Sequence, residues 1–306
     1  MHGIRKSDIA KTPEEEIKIA EHVRKYKEVS AQVMVLKKAQ QFDDHGLKLS
    51  ALVVVLNPEF WIVWAFRRDT IRHLLRTDDS RKKELAEAEC KLTMEALMKN
   101  PKSYSAWFQR QWIVDNGMAV VEKEVRLCDA LLNKDERNFH CWNYRRYLSK
   151  LKASGEEHAN DDLLEFSTRK VAQNFSNYSA LHQRTLSLPT PLPLDVLLEE
   201  VEMVKQAVFT EPYDQSNWFY YRWLIKSIPN DAAVWQNEIE WIEQLIQEEP
   251  KAKFAWVTLA LVLETSSKCG GFERVHTARC RDIYTALIDM DSDHKNYYMD
   301  RLRLLQ

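Results

Sequence analysis

The chain has 306 residues, enough for a large core, and a formal net charge of −2 with both signs mixed along its length. That balance gives neither a basic footprint for nucleic acid nor an acidic tail. Only six glycines occur (Gly3, Gly46, Gly117, Gly155, Gly270 and Gly271) and no G-x-G-x-x-G or P-loop string, which argues against β-rich and nucleotide-binding folds and predicts an all-α chain.

Along the chain, the first residues carry charge from Arg5 onward and no apolar core of a secretory signal. Thr12-Pro13-Glu14-Glu15-Glu16 predicts a helix start, with a cap, a first-turn proline and carboxylates at the positive end of the dipole. The longest aliphatic run, Ala51 to Leu56, is far too short to span a bilayer.

From there a single position recurs as Trp64, Trp107, Trp142, Leu181, Trp218, Trp256 and Tyr298, at intervals of 43, 35, 39, 37, 38 and 42 residues. Such a pitch is that of a helix-turn-helix solenoid unit. Apolar stripes at Lys83 to Met98, Ala119 to Leu132 and Val196 to Phe209 predict second helices between the anchors. The Pro-rich stretch Ser187 to Pro193 is read as a long loop inside the array, since the register resumes at Trp218. The expected architecture is an α-α superhelix, a tetratricopeptide-like solenoid of about seven helix pairs. It forms one domain over residues 1–306, with an N-terminal segment 1–40 and repeats over 41–306.

Neighbouring columns keep the same register. Seven residues before the anchor stand Asn57, Asn100, Asp135, Asn174, Glu211, Glu249 and Asp291, followed by proline at Pro58, Pro101, Pro212 and Pro250. These pairs end one helix and start a turn. Ser103, Asn138, Asn177 and Asp214, four before the anchor, are preferred N-cap residues. Trp61, Tyr104, Phe139 and Tyr178 stand three before it, and Arg67, Arg110, Arg145, Arg184 and Arg301 three after it. Spacings of three put aromatic, anchor and arginine on one helix face. The aromatics and anchors are expected to form the seam between repeats, with each arginine fork binding carbonyls or carboxylates of the next repeat. In the fifth repeat the arginine shifts to Arg222, and in the sixth Leu259 stands in its place.

The five cysteines are scattered and odd in number, without zinc-knuckle spacing, as in a reduced cytoplasmic protein. The His140-Cys141 pair lies inside a helical pattern and is read as core packing, with no site assigned to it.

The string Asn-Pro-Lys-Ser-Tyr-Ser-Ala-Trp-Phe-Gln-Arg (100–110) resembles the repeat of protein prenyltransferase α subunits, and the resemblance covers Asn57 through Tyr298. Residues 135–146, 174–179 and 214–224 and the opening Met-His-Gly are similar to the Rab geranylgeranyltransferase (type II) branch of that family. The resemblance implies a heterodimer in which a β subunit holds the zinc and the isoprenoid pocket. It further implies geranylgeranyl diphosphate as co-substrate, Rab GTPases as acceptors and a Rab escort protein as a partner. The end of the chain soon after the seventh repeat predicts a compact subunit without the extra domains of animal members, and the absence of a terminal cysteine box predicts that it is not itself prenylated.

The same resemblance places Lys102 where the family lysine extends towards the diphosphate, in a catalytic and co-substrate-binding role; the alternative is an ordinary turn lysine. It puts Tyr104 either near the shared active site or in the repeat seam. His2 corresponds to the family histidine that reaches the β-subunit zinc in the resting enzyme, against the alternative of a mobile terminus. Two other readings stay open, an α subunit of the farnesyl/type I enzyme and a non-enzymatic helical-repeat scaffold. The first lacks the branch-specific strings, and generic tetratricopeptides keep a stricter 34-residue period.

Overall fold

A computed structural model of the chain describes residues 12–153, 156–229, 231–266 and 273–305. These contain fifteen α-helices and no strand. Among the described residues no helix is long and apolar enough to cross a membrane. His2 lies outside the described residues.

The predicted opening cap is present: the Thr12 hydroxyl accepts the Glu15 N–H and the Glu15 carboxylate accepts the Thr12 N–H, closing a capping box at the head of α1 (Pro13–Lys38). Seven helix pairs follow. Within the first compact unit, which ends at Lys152, α1 packs on α2 (Asp44–Leu56), which pairs with α3 (Trp61–Thr77). Next come α4 (Lys82–Lys99) with α5 (Tyr104–Asp115), and α6 (Val121–Lys134) with α7 (Phe139–Lys152). The second unit holds four pairs: α8 (Glu156–Gln173) with α9 (Tyr178–Ser187), α10 (Leu194–Thr210) with α11 (Gln215–Leu224), α12 (Ala232–Glu248) with α13 (Lys253–Ser266), and α14 (Glu273–Met290) with α15 (Lys295–Leu304). Anchor-bearing helices touch their successors, α3 with α5 and α5 with α7 in the first unit, α9 with α11 and α11 with α13 in the second.

The unequal intervals have a local cause. The 43-residue step contains α3 of 17 residues, a 3₁₀ turn at Asp79–Arg81 and α4 of 18 residues, whereas the 35-residue step contains helices of 12 and 14 residues. The Pro-rich connection falls where the sequence places it, over residues 188–193, since α9 ends at Ser187 and α10 begins at Leu194. Gly117 has φ +62° in the reversal after α5, where its N–H binds the Val114 carbonyl and the Met118 N–H binds that of Ile113; this is a glycine-terminated helix end.

Hydrogen bonds explain the fixed spacing of proline and tryptophan. The indole N–H of Trp64 donates to the Pro58 carbonyl, Trp107 to Pro101, Trp142 to Glu136, Trp218 to Pro212 and Trp256 to Pro250, all at 2.8–2.9 Å. Six residues is thus the reach of an anchor ring back to its own turn. Trp64 and Trp218 are fully buried, so the indole fills the core while its one polar atom is satisfied.

Arg67, Arg110 and Arg184 reach carboxylates of the next repeat as expected, whereas Arg145 binds Asp129 of its own repeat and Arg301 binds Glu264 of the preceding one. Arg67 grips Glu89 through Nε and Nη2, and its Nη1 donates to the Leu47 carbonyl and Ser50 hydroxyl on α2. Arg110 binds Glu124 at 2.6 and 2.9 Å and reaches the Cys90 carbonyl and Thr93 hydroxyl on α4. Arg184 does the same with Glu200 and Thr168. Each of these three guanidinium groups therefore ties three consecutive helices, which suits its planar fork. In repeat five the shifted arginine does reach the next repeat, on α13, but a tyrosine takes the acid. Tyr221 occupies the arginine position and donates to Glu238 at 2.6 Å, while Arg222 turns to Thr258 and the Phe254 carbonyl.

Candidate functional site

The turn between α4 and α5 carries Lys102 and leads directly into Tyr104. Asn100 ends α4, and its side-chain oxygen accepts the Lys102 N–H at 3.3 Å while its carbonyl accepts the Ser103 N–H at 3.1 Å. Ser103 caps α5 by accepting the Ala106 N–H, and its own hydroxyl donates to the Pro58 carbonyl in the preceding turn. The Pro101 carbonyl takes two donors, the Trp107 indole at 2.8 Å and the Asn138 amide at 3.0 Å. Asn138 opens α7, where its side-chain oxygen accepts the N–H groups of His140 and Cys141. Three successive repeats thus hold one four-residue turn.

The Lys102 side chain projects from this fixed turn and is exposed, without a salt bridge among the described residues. Tyr104, in the first turn of α5, is 67% exposed. Its ring meets His140 edge-on with centroids 4.3 Å apart, and lies 6.3 Å from Phe139. The sequence brings Lys102 and Tyr104 together on one turn, as expected. It does not anticipate that the aromatic column leaves the seam for the surface. Trp61 is 66% exposed and Phe139 and Tyr178 about half, whereas the anchors three residues later are buried. The reason is angular: a step of three turns the helix by about 300°, so when the anchor points inward the aromatic sits at the rim, touching the next repeat and solvent together.

His140 is the neighbour that sequence reasoning passed over. It is buried beside Tyr104 and Phe139, and its Nε2 has no hydrogen-bond partner. Burial pushes its imidazole below the ordinary histidine range; Glu59 and the Lys102 main chain pull the other way and the Lys102 charge adds to the lowering. The ring is therefore neutral at neutral pH. Its column, two residues before the anchor, is Ile62, Ser105, Ser179, Ser216, Phe254 and Asn296 in the other repeats, so no role shared by the repeats calls for an imidazole here.

Chemically, a fixed turn presenting an ammonium and a phenol to solvent can hold an anionic oxygen and stabilise charge that grows there. The described residues provide no group of three or more His, Cys, Asp or Glu side chains able to bind a metal ion. Cys90, Cys128, Cys141 and Cys280 are free thiols, and burial raises the pKa values of Cys90, Cys128 and Cys280. Two cavities lie elsewhere, one of about 710 Å³ between α4 and α6 above the Arg110–Glu124 pair, one of about 560 Å³ between α9 and α11.

Comparison with known proteins agrees with this architecture. The protein prenyltransferase alpha subunit repeat matches residues 86–117, 121–151 and 197–228. The chain is 40% identical to the geranylgeranyl transferase type-2 subunit alpha of Dictyostelium discoideum, over 97% of its own length and 98% of that protein. It is 37% identical to the subunit of the same name from Rattus norvegicus over 76% of its length, spanning 43% of that longer protein. Among solved structures, the fold is similar to a chain of Candida albicans protein geranylgeranyltransferase-I complexed with GGPP, with a TM-score of 0.73 and 19% identity over 100% of this chain and 95% of that one.

Proposed function

The chain belongs to the family of geranylgeranyl transferase type-2 α subunits, and on that premise we propose that it works with a β subunit to transfer geranylgeranyl from its diphosphate to C-terminal cysteines of Rab GTPases. The observation that carries the site assignment is the exposed Lys102 ammonium, free of any carboxylate among the described residues and borne on a turn held by three repeats. In the transfer a thiolate attacks the prenyl C1, the C1–O bond breaks, and negative charge accumulates on the departing diphosphate. Lys102 meets that charge where it grows most, so its contribution is larger in the transition state than in the ground state. Tyr104 lies beside it and lends a phenol O–H to the same oxygens.

Prenyl transfer by thiolate attack calls for zinc, and the described residues offer no donor set for it; the metal is assigned to the β subunit, where it would hold the acceptor sulfur as a thiolate. His2 would reach that zinc from the α side in the resting enzyme. Aromatics of the first unit such as Trp61, Tyr104 and Phe108, each more than half exposed, are the surface expected of a chain that docks a partner. A Rab escort protein completes the set of partners, and free thiols favour a cytoplasmic setting. The repeat register steps from Trp142 to Leu181 without interruption, which supports one continuous repeat domain.

Co-expression with a type-2 β subunit and, separately, with a farnesyl-type β subunit tests the assignment. A zinc-containing heterodimer with the first alone, active on a Rab–escort complex, is expected. Lys102→Ala should slow single-turnover transfer by about 10- to 10³-fold, the range for losing one anion-stabilising donor. Wild-type rates in that variant would remove Lys102 from the mechanism.

A further inference from the structure

We propose that His140 is a positioning residue for the transfer reaction: from the first turn of α7 it seats the Lys102 turn and the Tyr104 ring, and so fixes where the ammonium points. The inference rests on the Lys102 assignment above and deepens it.

Three observations carry it. First, α7 grips the Lys102 turn at two adjacent points. The Asn138 amide donates to the Pro101 carbonyl at 3.0 Å, and the His140 ring stands 4.3 Å from that of Tyr104 at an interplanar angle of 89°. The His140 N–H is itself bound to the Asn138 side chain at 3.1 Å, so ring and amide are set by one cap. Second, His140 is only 6% exposed, yet Nε2 has no partner. An apolar ring would fill the space without burying an unsatisfied nitrogen, so packing alone does not account for an imidazole here. Third, the same column holds Ile62, Ser105, Ser179, Ser216, Phe254 and Asn296 in the other repeats, so no packing rule shared by the repeats calls for an imidazole here.

The groups that act on the ring are Glu59 and Lys102 with its main chain. Being neutral, the imidazole can lie against the Lys102 main chain without repelling the ammonium. Its effect on chemistry passes entirely through Lys102, and that gives the inference its test.

The heterodimer with the β subunit is prepared with wild-type chain, His140→Phe, Lys102→Ala and the double variant, and single-turnover geranylgeranyl transfer is measured for each. His140→Phe retains a ring edge-on to Tyr104 and loses both nitrogens. In the Lys102 background it should slow transfer by about tenfold or more, as small misplacements of a catalytic group do. In the Lys102→Ala background the same change should cost less than about twofold, because neighbours acting through one group are not additive. His140→Gln, which keeps a side-chain donor, should recover part of the rate, and it replaces the phenylalanine variant in the cycle if that one does not assemble. An equal loss in both backgrounds, or no loss in the first, overturns the positioning role. If Lys102→Ala alone leaves the rate unchanged, the Lys102 assignment fails and this inference falls with it. If Lys102→Ala is slow but His140→Phe is additive, the positioning role alone fails.

Discussion

Replacing Glu124 by leucine should open the middle of the first unit locally. The carboxylate receives Arg110 Nε at 2.6 Å, Arg110 Nη2 at 2.9 Å and the Tyr144 hydroxyl at 2.9 Å, with both members of the ion pair about 5% exposed. Burial alone would lower the Arg110 pKa, and Glu124 more than offsets this so that it ends raised. Leucine leaves that guanidinium with only the Cys90 carbonyl and the Thr93 hydroxyl, and leaves the tyrosine hydroxyl without its acceptor. Stranding one half of a buried pair costs about 3–5 kcal/mol, and roughly 1 kcal/mol more follows from the orphaned hydroxyl. A loss of about 4–6 kcal/mol corresponds to roughly a 10³- to 10⁴-fold fall in hydrogen-exchange protection across α5 and α6. Exchange is the better assay, because repeat arrays need not unfold in one step. Combining Glu124→Leu with Arg110→Met should restore most of the protection, since no buried charge then remains. Protection within about tenfold of wild type in the single variant, or a double variant as poor as the single one, would refute the clamp as the source of the stability.

Three further outcomes follow from individual contacts. Trp107→Phe retains the ring and deletes the bond to the Pro101 carbonyl, which still has the Asn138 amide; a loss of about 1 kcal/mol in urea titration is expected, and one above about 3 kcal/mol would mean that packing dominates. Burial pushes the Asp291 carboxyl up, but hydrogen bonds from Lys253, Tyr298 and His294 outweigh it and hold it at about 2 in the folded chain. Its unfolded value is about 3.9, so this stabilisation is complete above that pH and disappears as pH falls towards 2; it amounts to about 2 kcal/mol. Asp291→Asn should therefore match wild-type stability near pH 2 and fall behind it by pH 5, and parallel curves would contradict the assignment. Burial, aided by Glu264, pushes the Cys280 thiol up to about 12, so iodoacetamide at pH 8 should leave it unmodified in the folded chain, and prompt labelling would show that the helix pair opens there.

The repeat was legible because its turn chemistry imposes a spacing. An indole that bonds the carbonyl six residues back fixes the distance from turn to tryptophan, and a proline marks that turn at four of the five tryptophan anchors, with Glu136 in its place before Trp142. The arginine column was legible too, but its acids were not. They lie 22, 14 and 16 residues after Arg67, Arg110 and Arg184, because helix lengths and a 3₁₀ turn intervene. A steadier signal existed in the opposite direction. Gln109, Tyr144 and Tyr220 each bond the acid 20 residues earlier, so a search backwards from the residue two past the anchor would have found Glu89, Glu124 and Glu200. Repeat five misled for a chemical reason, since a tyrosine hydroxyl can take over one donor role of an arginine and nothing in its hydropathy says so. Exposure of Trp61, Tyr104 and Phe139 was hidden similarly, because the same residue types are used for a core and for a docking rim.

The turn that bears Lys102 ties function to the array. The Pro58 carbonyl is shared by Trp64 of its own repeat and Ser103 of the next, and the Pro101 carbonyl by Trp107 and Asn138 in the same relation. These two turns are therefore each finished by the N-cap of the repeat that follows, and neither reaches its final geometry alone. A side chain on such a turn inherits a position set by some eighty residues, from Pro58 to Asn138, so little backbone freedom remains to be lost when it meets an anion. Ser103→Ala separates two consequences of this arrangement. It removes the α5 cap, about 1 kcal/mol of stability, and it also frees the Lys102 turn from the preceding repeat. If the array positions the ammonium, transfer should slow even at temperatures where the variant is fully folded. If the rate stays at the wild-type value there, the turn alone suffices and the neighbouring repeats serve only stability.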